Sequence, residues 1–309
     1  MAFFVNAPVP AIVSRRRDTI NAHETTRALD TELDLFASDI RTLLEMKLLA
    51  PVERTHRSGT PRDHLAAEGM SQDIRRKLSL GNEPIQDLSE ACQRIGLYTF
   101  SAPLGAGGPD GGCVEISDTT PTLGATVING EAPAGRRRMT LTHELGHWLC
   151  GDTYDSQAST DGEKMINSFA IHFLAPRTGV YAVWRRHTSW PTRDRALAVG
   201  ASFRLSWTAT ISQLRNIELI SQDEHRALSE NEPRAGDYAR LALSWTDELA
   251  SPHLSPGFTA ACIDGYASEQ LTADRTIELL RETLFEADLP RRNAPRFDDF
   301  RRSFAGHGD

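Results

Sequence analysis

One short stretch carries the residues whose types and spacing could do chemistry. It runs from Thr140 to Cys150 and contains the pattern HELGH between His143 and His147. On an α-helix, residues four apart lie about 40° from each other around the axis and about 6 Å apart along it. His143 and His147 therefore share one face and can bind a single metal ion through two imidazoles. Glu144 follows His143 by one residue, which places its carboxylate beside the metal and not on it.

This division of roles suits hydrolysis of a carbonyl compound. Two neutral imidazoles bind zinc, zinc lowers the pKa of water at the site, and a nearby carboxylate takes the proton as the water attacks. Because a bare HExxH pattern also arises by chance on surface helices, the flanking residues matter. An apolar stripe recurs at i, i+4, i+7 and i+8 on the face away from the histidines, formed by Leu141, Leu145, Trp148 and Leu149. Gly151 follows as a C-cap, so the stretch predicts a buried amphipathic helix beside a cleft.

A third metal ligand has to come from another element. Catalytic zinc sites usually take three protein ligands and leave one position open. The next predicted helix begins near Asp161, and Glu163 is the preferred ligand on it. Asn167 lies one turn later on the same face and can hydrogen-bond a ligand histidine. The rival ligands are His172, Asp152, Asp155 and Asp161. His172 lies nine residues after Glu163, about half a turn out of phase, and is predicted to face away.

Two other side chains near the motif also have predicted roles. Tyr154 lies in the polar loop between Gly151 and Gly162, where it is a possible oxyanion stabiliser. Cys150 follows His147 by three residues and is interpreted as a packing residue.

The motifs together resemble those of a known family. HELGH followed by the pattern ExxxNxFAxxFLxP from Glu163 to Pro176 is similar to the ImmA/IrrE family of zinc metallopeptidases. The run from Arg136 to Thr142 resembles the arginine-rich lead-in to that family's metal helix, and Ile74–Leu78 with Pro84–Leu88 resembles its opening helices. The good match covers residues 65–180, and a looser one continues to about residue 290. The family often has a second acidic residue and then alanine before the asparagine, where this chain has Met165 and Ile166.

The resemblance implies a zinc-dependent endopeptidase. His143, His147 and Glu163 would hold Zn²⁺, Glu144 would be the catalytic base, and Asn167 would support a ligand histidine. The implied partner is a protein substrate, such as a transcriptional repressor. One alternative is a DNA-binding or antirepressor regulator that uses the peptidase fold without proteolysis. Another is a component of a toxin–antitoxin or phage-defence system.

Composition and charge indicate which cellular compartment and which classes of partner the protein is expected to have. The net charge of −8 argues against a general preference for nucleic acid or anionic membrane. Four cysteines without paired spacing fit a reducing compartment. No apolar run approaches the roughly 20 residues that cross a membrane, and Arg15–Arg17 follow the apolar start, whereas a secretory signal has its positive charge first. These features predict a cytoplasmic protein that does not bind membranes.

The periodicity of apolar residues predicts an α+β fold that is mostly helical, with a small sheet packed on the metal-binding helices. Strands are predicted at 97–100, 113–117 and 125–129, and helices at 23–49, at 64–80 and from Pro84 onward. Residues 105–112 are predicted to form a turn or a rim. The chain divides into an N-terminal arm and helical segment (1–62), a zinc metallopeptidase domain (63–190), a helix-turn-helix-like segment (191–232) and a C-terminal helical region (233–309).

Three further segments have predicted roles. The helix near residues 23–49 is expected to pack on the enzyme domain, with a partner or dimer helix as the alternative. Residues 193–230 should form helix, turn and helix with Ser206 as an N-cap. Their charges are balanced, so they are interpreted as scaffold in preference to a DNA reader. Residues 232–240 are predicted to be turn-prone. At least one arginine of Arg136–Arg138 should be salt-bridged.

Overall fold

Helices cover both faces of one small sheet in the computed structural model, which describes residues 22–52, 59–116, 123–151 and 160–292. The helices that these residues form are α1 (Ala22–Glu45), α2 (His64–Lys77), α3 (Leu88–Gln93), α4 (Ala134–Cys150), α5 (Thr160–Leu174), α6 (Arg177–Arg186), α7 (Thr192–Phe203), α8 (Trp207–Asn216), α9 (Gln222–Ser229), α10 (Ala235–Arg240), α11 (Pro256–Ala267) and α12 (Ala273–Leu280). Within the described ranges, none of these helices combines the length and the apolar character needed to cross a membrane.

The sheet has four strands in the order β2, β3, β1, β4. They are β1 (Leu97–Ala102), β2 (Gly111–Ile116), β3 (Leu123–Asn129) and β4 (His253–Leu254). Strands β1 and β3 are parallel, whereas β2 pairs with β3 and β4 pairs with β1 in antiparallel fashion. The predicted α+β class, mostly helical with a small sheet, is confirmed.

Alternate residues of the strands face two separate cores, as the period-two geometry of a strand requires. On one face, Leu97 and Ile128 pack against α4 in what we call the site-side core. On the other face, Tyr98, Phe100 and Val127 belong to the far-side core. Helix α4 thus lies on one side of the sheet, and α1, α11 and α12 lie on the other.

Helix α1 packs on the far side of the sheet. Its apolar stripe is buried, with exposures of 0–2%, and consists of Leu29, Leu33, Phe36, Ile40 and Leu43. Asp39 on the same helix pairs with Arg275 of α12 at 2.9 Å and with Arg281 at 2.7 Å. The expectation that this helix packs on the rest of the fold is confirmed.

Several predicted boundaries are wrong. Helix α3 begins at Leu88 and not at Pro84, because the side chain of Asp87 caps it by accepting a hydrogen bond from the Glu90 N–H at 2.8 Å. Residues 111 and 112 belong to β2 and not to a turn. A Cβ on Gly111 would lie 2.7 Å from the Val127 carbonyl oxygen, so the close strand pairing requires glycine there.

Two C-terminal elements were not predicted. Helix α10 occupies residues expected to be turn-prone, and its start is capped by Asp237, which accepts a hydrogen bond from the Arg234 N–H at 2.8 Å. Strand β4 has only two residues, too few for any periodicity to appear in the sequence. The division of the chain at residues 62, 190 and 232 stays a prediction.

Helices α7 and α8 form the predicted pair with Ser206 between them. Ser206 caps α8 by accepting a hydrogen bond from the Ala209 N–H at 3.2 Å. The buried face of α8 is broad and includes Trp207, Thr210, Ile211, Gln213 and Leu214. Gln213 donates to the carbonyl oxygen of Ala175, just beyond the end of α5, at 2.8 Å. The interpretation of α7 and α8 as scaffold, in preference to a DNA reader, stays a prediction.

Candidate metal centre

Helix α4 is fixed on the sheet by its apolar stripe. Leu141, Leu145, Trp148 and Leu149 are fully buried. The Trp148 indole N–H donates to the Ile95 carbonyl at 3.3 Å. A Cβ added to Gly124 would lie 2.9 Å from the Trp148 ring, so the ring packs directly on β3. The helix ends at Gly151, whose φ of 72° is the left-handed value that favours glycine. The predicted amphipathic helix and its C-cap are confirmed.

Three side chains converge on the opposite face of α4. His143 and His147 are 2% and 1% exposed, and their Nε2 atoms lie 2.9 Å apart. One oxygen of Glu163 lies 3.3 Å from His143 Nε2, and the other lies 3.4 Å from His147 Nε2. Ligand atoms about 2.0–2.1 Å from a tetrahedral zinc ion are roughly 3.3 Å from one another. The three groups are therefore spaced so that one ion can contact all of them.

The protonation states of this cluster also suit a cation. Hydrogen bonding with His143 and then His147 holds the pKa of the Glu163 carboxyl well below its ordinary value. The carboxylate is therefore ionised at neutral pH, which is the form that binds a metal. Two imidazole nitrogens and one carboxylate form a donor set that fits a zinc ion.

Asn167 lies next to His143, one turn after Glu163 on α5. Its Oδ1 atom lies 3.1 Å from His143 Nδ1. An amide oxygen can only accept a hydrogen bond, so Nδ1 donates it and Nε2 is the nitrogen that faces the cluster. Asn167 was predicted to lie on this face of α5, and in the structure it contacts His143.

Glu144 follows His143 on α4 and is not one of the three clustered residues. Its side chain is 3% exposed, and among the described residues its Oε2 atom has no hydrogen-bond partner. Leaving a buried polar atom without a partner costs about 1–3 kcal/mol. An acceptor in this position is suited to receive a proton from water or a substrate group at the metal site.

The rival ligands within the described residues lie elsewhere. His172 is buried on α5, with its Nδ1 atom 3.2 Å from Gln213 Nε2. Asp161 is exposed and pairs with Lys164 at 2.9 Å. Cys150 packs in the site-side core, as expected. Tyr154, Asp152 and Asp155 lie outside the described residues, so the proposed oxyanion role of Tyr154 stays a prediction.

The lead-in arginines are all paired. Arg136 contacts Asp110, Arg137 contacts Asp247 and Arg138 contacts Glu248. The prediction that at least one of Arg136–Arg138 is salt-bridged is confirmed. Sequence reasoning did not identify these acidic partners, because two of them lie more than 100 positions away in the chain.

Gly146 has a positioning role that sequence reasoning missed. A Cβ at this position would lie 2.8 Å from Ile166 Cγ2 and 3.1 Å from Phe169 Cδ1, both on α5. The absence of a side chain lets α4 and α5 approach closely, and this approach brings Glu163 to the histidines. The signal that could have found it is a glycine inside an otherwise apolar helix.

Gly146→Ala is expected to lower the free energy of unfolding by about 1–3 kcal/mol through overpacking. The matched control is Gly69→Ala in α2, where nothing lies within 4 Å of the added Cβ. That control should stabilise the protein by about 0.5–1 kcal/mol, because alanine is the better helix former. Urea unfolding of both variants measures the difference. Equal stabilisation by the two substitutions would contradict the close approach of α4 and α5.

Comparison with known proteins is consistent with this geometry. Residues 92–211 match the sequence profile of the peptidase M78 family, described as the IrrE N-terminal-like domain. The matched segment starts within α3 and ends within α8, so it contains both α4 and α5. No curated protein and no solved structure matches the chain. The match over residues 92–211 to the IrrE-like peptidase M78 family agrees with the resemblance seen in the motifs of the chain.

Proposed function

We propose that this protein is a zinc-dependent endopeptidase and that its substrate is a regulatory protein, such as a transcriptional repressor. The observation that carries the proposal is the convergence of three ligand atoms beside a buried glutamate. His143, His147 and Glu163 offer the ligands, and Glu144 offers an oxygen that has no hydrogen-bond partner among the described residues. The family match supports peptide-bond hydrolysis as the reaction class.

The donor set is the reason for choosing zinc. Imidazole suits several transition metals, but two histidines and a carboxylate with an open fourth position are typical of catalytic zinc. Zinc bound there would polarise the scissile carbonyl and lower the pKa of the attacking water.

Three residues of the chain would carry out the other functions of the site. Glu144 accepts the proton of the attacking water and later passes it to the leaving amine. Asn167 holds His143 in the tautomer that leaves Nε2 free to bind. Glu163 contributes a negative charge that offsets part of the charge of the cation.

The proposal is tested by comparing the proteins of cells that produce the wild type with those of cells that produce Glu144→Gln. We expect at least one regulatory protein to be shortened by the wild type and to stay intact with the variant. Because Glu144→Gln should still bind its substrate, the intact target should also be recovered with the purified variant. If both strains contain the same set of protein fragments, the proposed activity is wrong.

A further inference from the structure

A short segment beyond the family-matched part of the chain lies against the start of the metal-binding helix. This segment, Asp247–Leu249, is called the clamp below. Arg137 of α4 pairs with the Asp247 carboxylate and donates to the Glu248 carbonyl oxygen at 3.1 Å. Arg138 pairs with the Glu248 carboxylate, which also receives Arg204 Nη1 at 3.2 Å.

The arginines held by the clamp are buried, whereas the Asp247 side chain is 60% exposed. Arg137 is 5% exposed, Arg138 is 1% exposed, and Leu249 of the clamp is 2% exposed in the site-side core. Burial lowers the pKa of Arg138 to about 9, so its guanidinium stays charged at neutral pH. A buried charge that loses its partner destabilises a protein strongly. The carboxylates paired with Arg137 and Arg138 both come from the clamp.

The start of α4 needs this support for two reasons. Its N-cap residue, Pro133, makes no side-chain hydrogen bond, and the first turn contains no acidic residue. Cations at the N-terminus of a helix are disfavoured by the helix dipole. His143 follows Arg138 by five residues, which is only about 7.5 Å along the helix. Movement of the first turns would therefore carry the first metal ligand with it.

We propose that the clamp fixes the first turns of α4 and that Glu248 is a positioning residue for His143. The segment matched to the family ends at residue 211, so the metal site depends on a part of the chain outside that segment. The consequence for metal binding rests on the proposed function, whereas the effect on the helix does not.

Glu248→Gln tests the proposal, because glutamine keeps the shape and removes the charge. Two properties are measured on the full-length protein: hydrogen exchange of the amides of residues 138–147 without metal, and zinc affinity by competition with a chelator. We expect exchange to become faster and zinc affinity to fall, each by about 10- to 100-fold, as for loss of a charged hydrogen-bond partner. Glu248→Asp keeps the charge, so its α4 exchange rate and its zinc affinity should both be close to those of the wild type.

Asp39→Asn is the matched control. Asp39 and Glu248 each hold two arginines, and both side chains are 15% exposed, but Asp39 lies on the far side of the sheet. Its substitution should lower the melting temperature and leave the exchange of α4 and the zinc affinity unchanged. If Glu248→Gln does not fold, Asp247→Asn, which removes the charge of the carboxylate paired with Arg137, is compared with Asp39→Asn in the same two measurements, and wild-type exchange of α4 would again contradict the proposal.

Two results would overturn the proposal. One is that the amides of residues 138–147 exchange at the wild-type rate in Glu248→Gln. The other is an equal effect of Asp39→Asn on α4, which would mean general destabilisation. A wild-type protein that binds no zinc would instead overturn the proposed function, and the exchange measurement would still decide whether the clamp holds α4.

Discussion

Glu144→Gln is expected to lower the rate of substrate cleavage by about two to four orders of magnitude, the usual scale for loss of a general base. Glutamine has nearly the same shape as glutamate but cannot take a proton from water. Zinc content and folding should be unchanged, because Glu144 lies outside the ligand cluster and its Oε2 atom has no partner among the described residues. Thermal melting, zinc content and a cleavage assay on one preparation measure all three properties.

Glu68→Gln provides a matched structural control. Glu68 is also a buried glutamate, but its two oxygens accept hydrogen bonds from Arg177 at 2.9 and 3.0 Å. Its substitution should lower the melting temperature and leave most of the turnover intact. If Glu144→Gln behaved in this way, with earlier melting and near wild-type cleavage, Glu144 would have no catalytic role.

Glu163→Ala is expected to weaken zinc binding by more than about 100-fold, which exceeds the 10- to 100-fold typical of residues that only support a ligand. The variant would leave two histidines to hold the ion, with no carboxylate to offset its charge. The effect should appear in chelator competition and in the zinc content of the purified protein.

His172→Ala is the control for the third ligand. His172 lies on the same helix as Glu163, but its ring contacts Gln213 and not the cluster. Its substitution should leave zinc affinity at the wild-type level, although it removes a buried side chain. Full zinc content in Glu163→Ala together with loss of zinc in His172→Ala would show that the ligand assignment is wrong.

The cluster of two histidines and a glutamate could be predicted from the sequence because its geometry is local. His143 and His147 are four residues apart on one helix, so the helical period alone places them together. Glu163 and Asn167 are likewise one turn apart on the next helix, and the half-turn offset of His172 removed it from the same face. The apolar stripes of α1 and α4 identified the buried sides of those helices in the same way.

The contacts that position the cluster could not be predicted, because they join distant parts of the chain. Nothing near Arg138 in the sequence indicates Glu248, which lies 110 residues later. The importance of Gly146 depends on Ile166 and Phe169 of another helix, and strand β4 exists only because it pairs with β1. The start of α3 was misplaced because proline is common in a first helical turn, whereas Asp87 caps the helix that forms.

The position of zinc in the wild-type protein decides whether His143, His147 and Glu163 form the metal site. Anomalous diffraction at the zinc edge from crystals of the zinc-loaded protein would locate the ion. We expect one site with nitrogen and oxygen ligands at about 2.0–2.2 Å, namely His143 Nε2, His147 Nε2 and a carboxylate oxygen of Glu163. An ion bound elsewhere, such as at His172 or at the sulfur of Cys150, with none between the two histidines, would contradict it.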